Sequence, residues 1–258
     1  MQSVFNSGLL ERIAAADSLI AFDFDGTLAP IVADPAQAAM RGTTRRLLAE
    51  AARLYPCAVV SGRAEEDVLR LLDGVTVWYV IGNRALQPLD AIERFTAQVG
   101  AWRPMLGVLD RLSGITIEDK GVSLAIHYRN ALDHDRARAA IVAAARRLER
   151  ARAIEGKEVV NLIPEDAADK GAALDRVRKQ LGCAQTLYAG DDRTDEAAFA
   201  LDGVAGVRVG ESDASAARHC LRDQSEIDDL LDRLVALRPR RVLRPEEMWR
   251  TAPRRYPE

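Results

Sequence analysis

A short apolar run that ends in two carboxylates constrains the fold of this chain more than any other feature. Leu19–Phe22 is too short for an ordinary helix and is typical of a buried strand. Asp23 and Asp25 follow it, and alternate residues of a strand share a face, so both carboxylates are expected to point into one space. Open α/β sheets bind their ligands at the carboxyl ends of their strands. Two like charges this close repel each other unless a cation lies between them or one is protonated.

The Asp-Phe-Asp-Gly-Thr segment is also compatible with a plain solvated turn, because Asp and Gly are common turn residues. A calcium-binding loop is disfavoured, since the glycine and the closing glutamate are not at the required offsets. The choice between turn and site depends on what the rest of the chain brings to the same edge of the sheet.

The chain alternates between helix and strand patterns in two blocks. The first block reads β-α-β-α-β, and the same rhythm returns after residue 169. This alternation predicts an α/β fold with a Rossmann-like parallel sheet as its core. The predicted helices are 36–55, 65–72 and 169–181, and the predicted strands are 57–61, 75–81, 186–189 and, as the last strand, 204–209.

A different pattern interrupts the rhythm between the two blocks. Residues 122–128 alternate between apolar and polar side chains, as a half-covered antiparallel strand does. We therefore predict an inserted α+β cap domain at residues 89–164, which divides the core into residues 1–88 and 165–258. Its predicted elements are a largely helical segment at 92–112, strands at 115–118, 122–128 and 159–163, and a long Ala/Arg helix at 133–152.

Composition excludes several classes of protein. The chain has 258 residues, of which 48% are apolar, and a net charge of −3, which favours a sizeable core and gives no argument for nucleic-acid binding. No apolar run approaches the roughly 20 residues needed to span a bilayer, and the N-terminus lacks a signal-peptide pattern. The three cysteines have no metal-ligand spacing, and an odd number argues against a disulfide framework. We expect a cytoplasmic protein without a nucleic-acid or membrane partner.

Further polar segments follow or begin predicted elements of the same sheet, and each alone has a plain explanation. Ser61-Gly62 could form a turn, and Lys170 could be a solvated helix residue. The carboxylates at 191–196 could cap a helix, where the helix dipole favours them.

Together these segments are suited to phosphoryl transfer. Mg²⁺ usually takes one or two carboxylates together with water and phosphate oxygens, which Asp23, Asp191 and a backbone carbonyl could provide. Lys170, Ser61 and Thr27 could bind a phosphoryl group. A carboxylate nucleophile gives an aspartyl-phosphate. A second carboxyl two residues further on can protonate the leaving oxygen and then deprotonate water.

The order Asp-x-Asp-Gly-Thr, Ser-Gly, Lys, Gly-Asp-Asp-x-x-Asp resembles the phosphatases of the haloacid dehalogenase superfamily. The insertion resembles their cap of the second type. The resemblance covers residues 19–209, and four segments narrow it to the trehalose-6-phosphate phosphatases: residues 60–63, 117–121, 125–129 and 190–196.

This resemblance implies a Mg²⁺-dependent phosphatase that acts on a small-molecule sugar phosphate, and the substrate that it implies is trehalose 6-phosphate. Asp23 would be the nucleophile and a metal ligand, and Asp25 the general acid/base, with its main-chain carbonyl on the metal. Asp191 would be the third protein ligand, with Asp195 supporting the metal-bound waters. The implied phosphate-binding residues are Gly26, Thr27, Ser61, Gly62 and Lys170, and the implied substrate-binding residues are Arg63, Asn83, Arg84, Lys120 and Asn161.

Two segments depart from the family pattern. Gly82-Asn83-Arg84-Ala85 stands where the family usually has Gly-Asn-His-Gly. In the last strand of the cap, Asn161 and Ile163 stand where the family usually has a glutamate followed by Arg or Lys. The catalytic half of the pattern is complete, while the sugar-binding half is altered. The alternatives are a phosphatase for another glycosyl or pseudo-disaccharide phosphate, a sugar-phosphate sensor without turnover, and a phosphotransferase or mutase.

Overall fold

The protein is described by a computed structural model that covers residues 1–83, 87, 89–156 and 158–238. Its strands in chain order are β1 (Gln2–Ser3), β2 (Ser18–Phe22), β3 (Cys57–Val60), β4 (Tyr79–Ile81), β5 (Thr116–Asp119), β6 (Leu124–His127), β7 (Ala151–Gly156), β8 (Val159–Pro164), β9 (Gln185–Gly190), β10 (Val204–Val209) and β11 (His219–Leu221). Its α-helices are α1 (Leu9–Ala15), α2 (Gly42–Leu54), α3 (Glu65–Leu71), α4 (Leu89–Met105), α5 (His134–Ala145), α6 (Lys170–Leu181), α7 (Glu196–Phe199) and α8 (Ile227–Leu237).

The chain divides into two compact units. The larger unit consists of Met1–Gly82, Lys170–Asp191 and the described residues from Asp195 onward. The smaller unit consists of Asn83–Asp169 and Asp192–Thr194.

The larger unit is built on a seven-stranded sheet with the order β1-β11-β10-β9-β2-β3-β4. All of its strand pairs are parallel. From β2 the chain runs outward through β3 and β4 on one side, whereas β9 pairs on the other side. The strand order therefore reverses between β2 and β9, and open α/β sheets bind ligands at such a switch point.

Strand β2 lies at the centre of the core. All five of its residues are buried, because helices cover both faces of a parallel sheet and leave no face for water. Helices α2 and α8 pack against each other, with Leu48 and Leu231 fully buried in the same apolar cluster as Ile20. This packing holds the carboxyl end of β2 in a rigid frame.

The smaller unit contains an antiparallel sheet with the order β5-β6-β8-β7. Its core joins Trp102 of α4 and Ile141 of α5 to Leu124, Ile126 and Leu162 of the sheet. The prediction of a helix through residue 152 was wrong at its end, because α5 stops at Ala145 and residues 151–156 form β7. Pairing with β8 outweighs the helix preference of the Ala/Arg sequence there.

Among the described residues, none of the helices is both long enough and apolar enough to cross a membrane.

Candidate active site

The two carboxylates after β2 lie in a tight loop at the switch point. Asp23 continues the sheet, since its N–H donates to the Ala189 carbonyl over 2.9 Å, and it is 5% exposed. The loop then folds back, with the N–H of Gly26 donating to the Ala29 carbonyl over 2.8 Å. Gly26 has φ of +77°, and a Cβ there would overlap the Asp191 carboxylate. Only glycine combines this backbone with so close a neighbour.

Lys170, the first residue of α6, joins two of the predicted site carboxylates. Its ammonium lies 3.0 Å from Asp23 Oδ1 and 2.8 Å from Asp195 Oδ1. All three side chains are buried, and Asp195 is fully so. The structure therefore brings the predicted nucleophile and the predicted phosphate-binding lysine into direct contact.

Burial and charge strongly perturb these groups. Burial raises the pKa of Asp23 well above its usual range, the charges of Asp195 and Asp191 raise it further, and the Lys170 ammonium opposes the shift. Burial pulls the pKa of Lys170 down, but the carboxylates of Asp195 and Asp23 outweigh burial and raise it. Lys170 is thus held as a cation. Its single positive charge does not offset the repulsion among the carboxylates of Asp23, Asp191 and Asp195.

The donor set fits a divalent cation. Asp191 follows directly after β9, and Asp23, Asp191 and Asp195 each offer an oxygen within 4.8 Å of one another. Mg²⁺ prefers oxygen ligands and usually takes one or two carboxylates together with water and phosphate oxygens, so this cluster offers enough protein ligands. A Cβ at Gly26 would overlap the Asp191 carboxylate, and a Cβ at Gly190 would overlap the Asp195 side chain. These two positions therefore have room for glycine and for no larger residue. A cation here would relieve the repulsion that raises the pKa of Asp23.

Ser61 and Thr27 are two further predicted phosphate-binding residues on this edge. Ser61 follows β3, is 1% exposed, and its N–H donates to the Ile81 carbonyl over 2.9 Å. Thr27 is fully buried, and its hydroxyl has no hydrogen-bond partner among the described residues. At Gly62, an added Cβ would contact nothing within 4 Å.

Arg63 forms a two-bonded ion pair with Asp25. Its Nε lies 2.6 Å from Asp25 Oδ2, and its Nη2 lies 2.7 Å from Asp25 Oδ1. The guanidinium side chain is 13% exposed, whereas the Asp25 side chain is 39% exposed. Each of the two carboxylates after β2 therefore has a cation of its own, Lys170 for Asp23 and Arg63 for Asp25.

Two residues that the sequence analysis missed hold this cluster in place. The Tyr188 hydroxyl, fully buried in β9, donates to Asp195 Oδ1 over 2.7 Å. Arg208 of β10 donates through Nη2 to the Asp191 carbonyl over 2.7 Å, and its Nη1 lies 2.8 Å from Glu196 Oε1. The sequence could have indicated Arg208, because it lies between two valines of a core strand and a charge in such a place needs a partner. A tyrosine in a core strand carried no comparable signal.

The predicted substrate-binding residues Asn83, Lys120 and Asn161 lie in the smaller unit. The Asn83 amide donates to Ser123 Oγ over 2.9 Å and to the Lys120 carbonyl over 3.4 Å, so it fixes the turn between β5 and β6. Asn161 is in β8, opposite Ala125 of β6. Arg84 lies outside the described residues.

Comparison with known proteins identifies the relatives of this chain. The sequence model of the trehalose-phosphatase family matches residues 95–202. A trehalose-phosphate phosphatase of Mycolicibacterium paratuberculosis is 36% identical over 213 residues, which cover 75% of this chain and 53% of that protein. One of Mycobacterium tuberculosis is 33% identical over 251 residues, which cover 88% of this chain and 64% of that protein. The chain resembles trehalose-phosphate phosphatases. It spans about half to two thirds of the length of these curated relatives.

Solved structures with the same fold carry related names. The C-terminal domain of a C. albicans trehalose-6-phosphate phosphatase is superimposed with a TM-score of 0.71 at 21% identity, over 92% of this chain and 99% of that one. A trehalose-6-phosphate phosphatase related protein gives a TM-score of 0.68 at 24% identity, over 85% and 97%. At these identities the likeness shows the fold, and it confirms the predicted α/β class. The sequence comparisons confirm the predicted resemblance.

Proposed function

We propose that the protein is a Mg²⁺-dependent phosphatase that hydrolyses trehalose 6-phosphate. The observation that carries the proposal is the buried cluster at the β2/β9 switch point. There Lys170 contacts Asp23, and carboxylate oxygens of Asp23 and Asp191 lie within 4.8 Å of each other, close enough to share one cation. The names of the relatives that are more than 30% identical support the choice of substrate.

In the first half-reaction, a carboxylate oxygen of Asp23 attacks the phosphorus. The bond between phosphorus and the sugar oxygen breaks, Asp25 gives its proton to that oxygen, and an aspartyl-phosphate remains. In the second half-reaction, Asp25 takes a proton from a water that attacks the phosphorus, which releases phosphate and restores Asp23. Asp25 therefore ends each cycle in the protonation state in which it began.

Lys170 and the hydroxyl groups serve the transferring phosphoryl group. Lys170 is a fixed cation beside Asp23, so it offsets negative charge on the phosphoryl oxygens as they approach the carboxylate. Ser61 and Thr27 offer hydroxyl donors, and the backbone at Gly26 and Gly62 allows close approach. Mg²⁺, held by Asp23, Asp191 and the main-chain carbonyl of Asp25, with Asp195 supporting its waters, would supply further charge neutralisation.

We assign sugar recognition to Lys120, Asn83, Arg84 and Asn161, and we place the protein in the cytoplasm. Its three cysteines are free thiols, which supports a reducing compartment. The chemistry of the proposed substrate requires no nucleic acid or membrane partner.

Phosphate release from a panel of sugar phosphates tests this proposal. We expect the highest kcat/KM for trehalose 6-phosphate, compared with sucrose 6-phosphate, glucose 6-phosphate and other glycosyl phosphates, and complete loss of activity with a chelator. The variant Asp23→Asn serves as the inactive control. A higher kcat/KM on another sugar phosphate would overturn the substrate, and no release from any of them would overturn the activity.

A further inference from the structure

The ion pair between Arg63 and Asp25 assigns Arg63 a role that its place in the sequence did not predict. The sequence analysis treated Arg63 as a substrate-binding residue. In the structure, its guanidinium donates to both oxygens of Asp25, the carboxyl that the proposed function uses as general acid/base. The inference that follows rests on that proposed function and deepens it.

The backbone that carries Arg63 is anchored on both sides. The N–H of Ser61 extends the ladder between β3 and β4 through its bond to the Ile81 carbonyl, and the N–H of Arg63 donates to Ser61 Oγ over 3.2 Å. Gly82, which follows β4, packs so closely against the backbone of residues 64 and 65 that a Cβ there would overlap it. The guanidinium is therefore presented from a fixed strand end and not from a free loop.

The geometry of the ion pair fixes the orientation of the Asp25 carboxylate. A guanidinium fork with two parallel N–H···O bonds fixes the plane of a carboxylate, which a single ammonium contact does not do. Arg63 is largely buried, while Asp25 keeps 39% of its side chain exposed. The arginine thus takes one side of the carboxylate and leaves the other side open for a reacting group.

We propose that Arg63 is a positioning residue that holds Asp25 in the orientation needed for proton transfer to the leaving oxygen and from water. Proton transfer requires the carboxyl within hydrogen-bond reach of the reacting oxygen. The Asp25 side chain is 39% exposed, and without the fork it is free to turn towards solvent.

Two other roles for Arg63, contact with the sugar and contact with the phosphoryl group, predict different kinetics. Two sugar-free substrates separate the three roles. Phenyl phosphate has a poor leaving group that benefits from a proton, whereas 4-nitrophenyl phosphate has a good leaving group that departs without one. In each case kcat/KM reports the step that forms the aspartyl-phosphate.

We expect Arg63→Ala to lower kcat/KM for phenyl phosphate by at least about tenfold more than for 4-nitrophenyl phosphate, because general acid catalysis matters only for the poorer leaving group. Equal losses on both substrates would show that Arg63 binds the phosphoryl group and would overturn the proposal. No loss on either, with a loss on trehalose 6-phosphate, would show a sugar contact and would also overturn it.

A double-mutant cycle with Asp25→Asn gives an independent readout. If Arg63 acts through Asp25, then Arg63→Ala has little further effect on phenyl phosphate once Asp25 is already replaced. Losses that multiply in the double variant would overturn the proposal. Arg63→Lys keeps the charge but cannot form the fork, so its kcat/KM for phenyl phosphate should be lowered nearly as much as in Arg63→Ala. Full activity of Arg63→Lys would refute the orienting role of Arg63.

Arg70→Ala is the matched control. Arg70 lies on α3 and pairs with Asp67 through an exposed contact, with side chains 58% and 50% exposed. Arg70→Ala should leave kcat/KM for both aryl phosphates unchanged, and thermal melting of every variant tests whether the fold persists.

A parent protein that cleaves the aryl phosphates but not trehalose 6-phosphate would refute the proposed substrate and leave this test of Arg63 intact. A parent protein inactive on all of them would refute the phosphatase activity, and the Arg63 proposal would fall with it.

Discussion

At the scale of single residues, the site is a cluster of carboxylates, and the Lys170 ammonium and the Tyr188 hydroxyl contact it. Asp191 contributes an oxygen beside Asp23 and Asp195. We predict that Asp191→Ala raises the Mg²⁺ concentration needed for half-maximal activity by about tenfold or more, because Mg²⁺ relies on only one or two protein carboxylates. Calorimetric titration with Mg²⁺ measures the same loss without substrate. Asp213→Ala, at an exposed loop position, is the control. Unchanged Mg²⁺ binding in Asp191→Ala would contradict the proposed ligand set.

Tyr188 shows how a buried hydroxyl supports this cluster. Removing its hydrogen bond to Asp195 leaves a buried acceptor with one donor fewer, so Tyr188→Phe should lower the free energy of unfolding by about 1–3 kcal/mol. We also expect a lower kcat, since Asp195 is one of the two carboxylates that orient Lys170. Tyr55→Phe is the control, because the Tyr55 hydroxyl bonds the Leu234 carbonyl and should affect stability alone. An unchanged kcat in Tyr188→Phe would limit Tyr188 to a structural role.

The same tyrosine gives a pH dependence. Burial raises the pKa of Tyr188 well above its usual range, and the charge of Asp195 raises it further. The folded state therefore holds the phenol proton at pH values where the unfolded chain, with a pKa of about 10, has lost it. The free energy of unfolding should fall as pH rises beyond about 10. This fall should be shallower in Tyr188→Phe, as pH-dependent denaturant titrations would show.

At the scale of elements, the loop after β2 depends on Gly26. Its φ of +77° and the overlap that a Cβ would make with Asp191 are separate costs. We predict that Gly26→Ala loses Mg²⁺ binding as well as stability. Gly74→Ala isolates the backbone cost, since Gly74 has φ of +85° and open space around it. Each change should cost roughly 1–2 kcal/mol from the left-handed backbone alone. Intact Mg²⁺ binding in Gly26→Ala would show that Asp191 can move aside.

Much of the core could be predicted from sequence, because buried parallel strands are short apolar runs with polar ends. Residues 204–209 form a strand with the bounds that the pattern predicts, and the runs that begin at residues 19 and 57 become β2 and β3. Strand β11 was missed, since His219–Leu221 is too short for periodicity to reveal. Side-chain partnerships were the hardest to predict. The pairing of Arg63 with Asp25 depends on how two loops meet in space, which no local pattern contains.

At the scale of the whole molecule, the larger unit holds the proposed chemistry and the smaller unit holds the residues that we assign to the sugar. We predict that Lys120→Ala lowers kcat/KM for trehalose 6-phosphate by about tenfold to a hundredfold, the value of a charged hydrogen bond, and leaves 4-nitrophenyl phosphate nearly unaffected. Lys179→Ala, at a 72% exposed side chain of α6, is the control. Equal losses on both substrates would remove Lys120 from sugar recognition.

The reversal of strand order between β2 and β9 also bears on how the protein folds. Asp23 and Asp191 follow strands that are neighbours in the sheet but belong to distant parts of the chain, with Asn83–Asp169 of the smaller unit between them. Parallel pairing over so long a separation carries a large loop-closure cost and is intrinsically slow. A chain in which only the first half has folded holds Asp23, the proposed nucleophile, without Asp191, a proposed metal ligand. Recovery of activity during refolding therefore requires the pairing of β2 with β9.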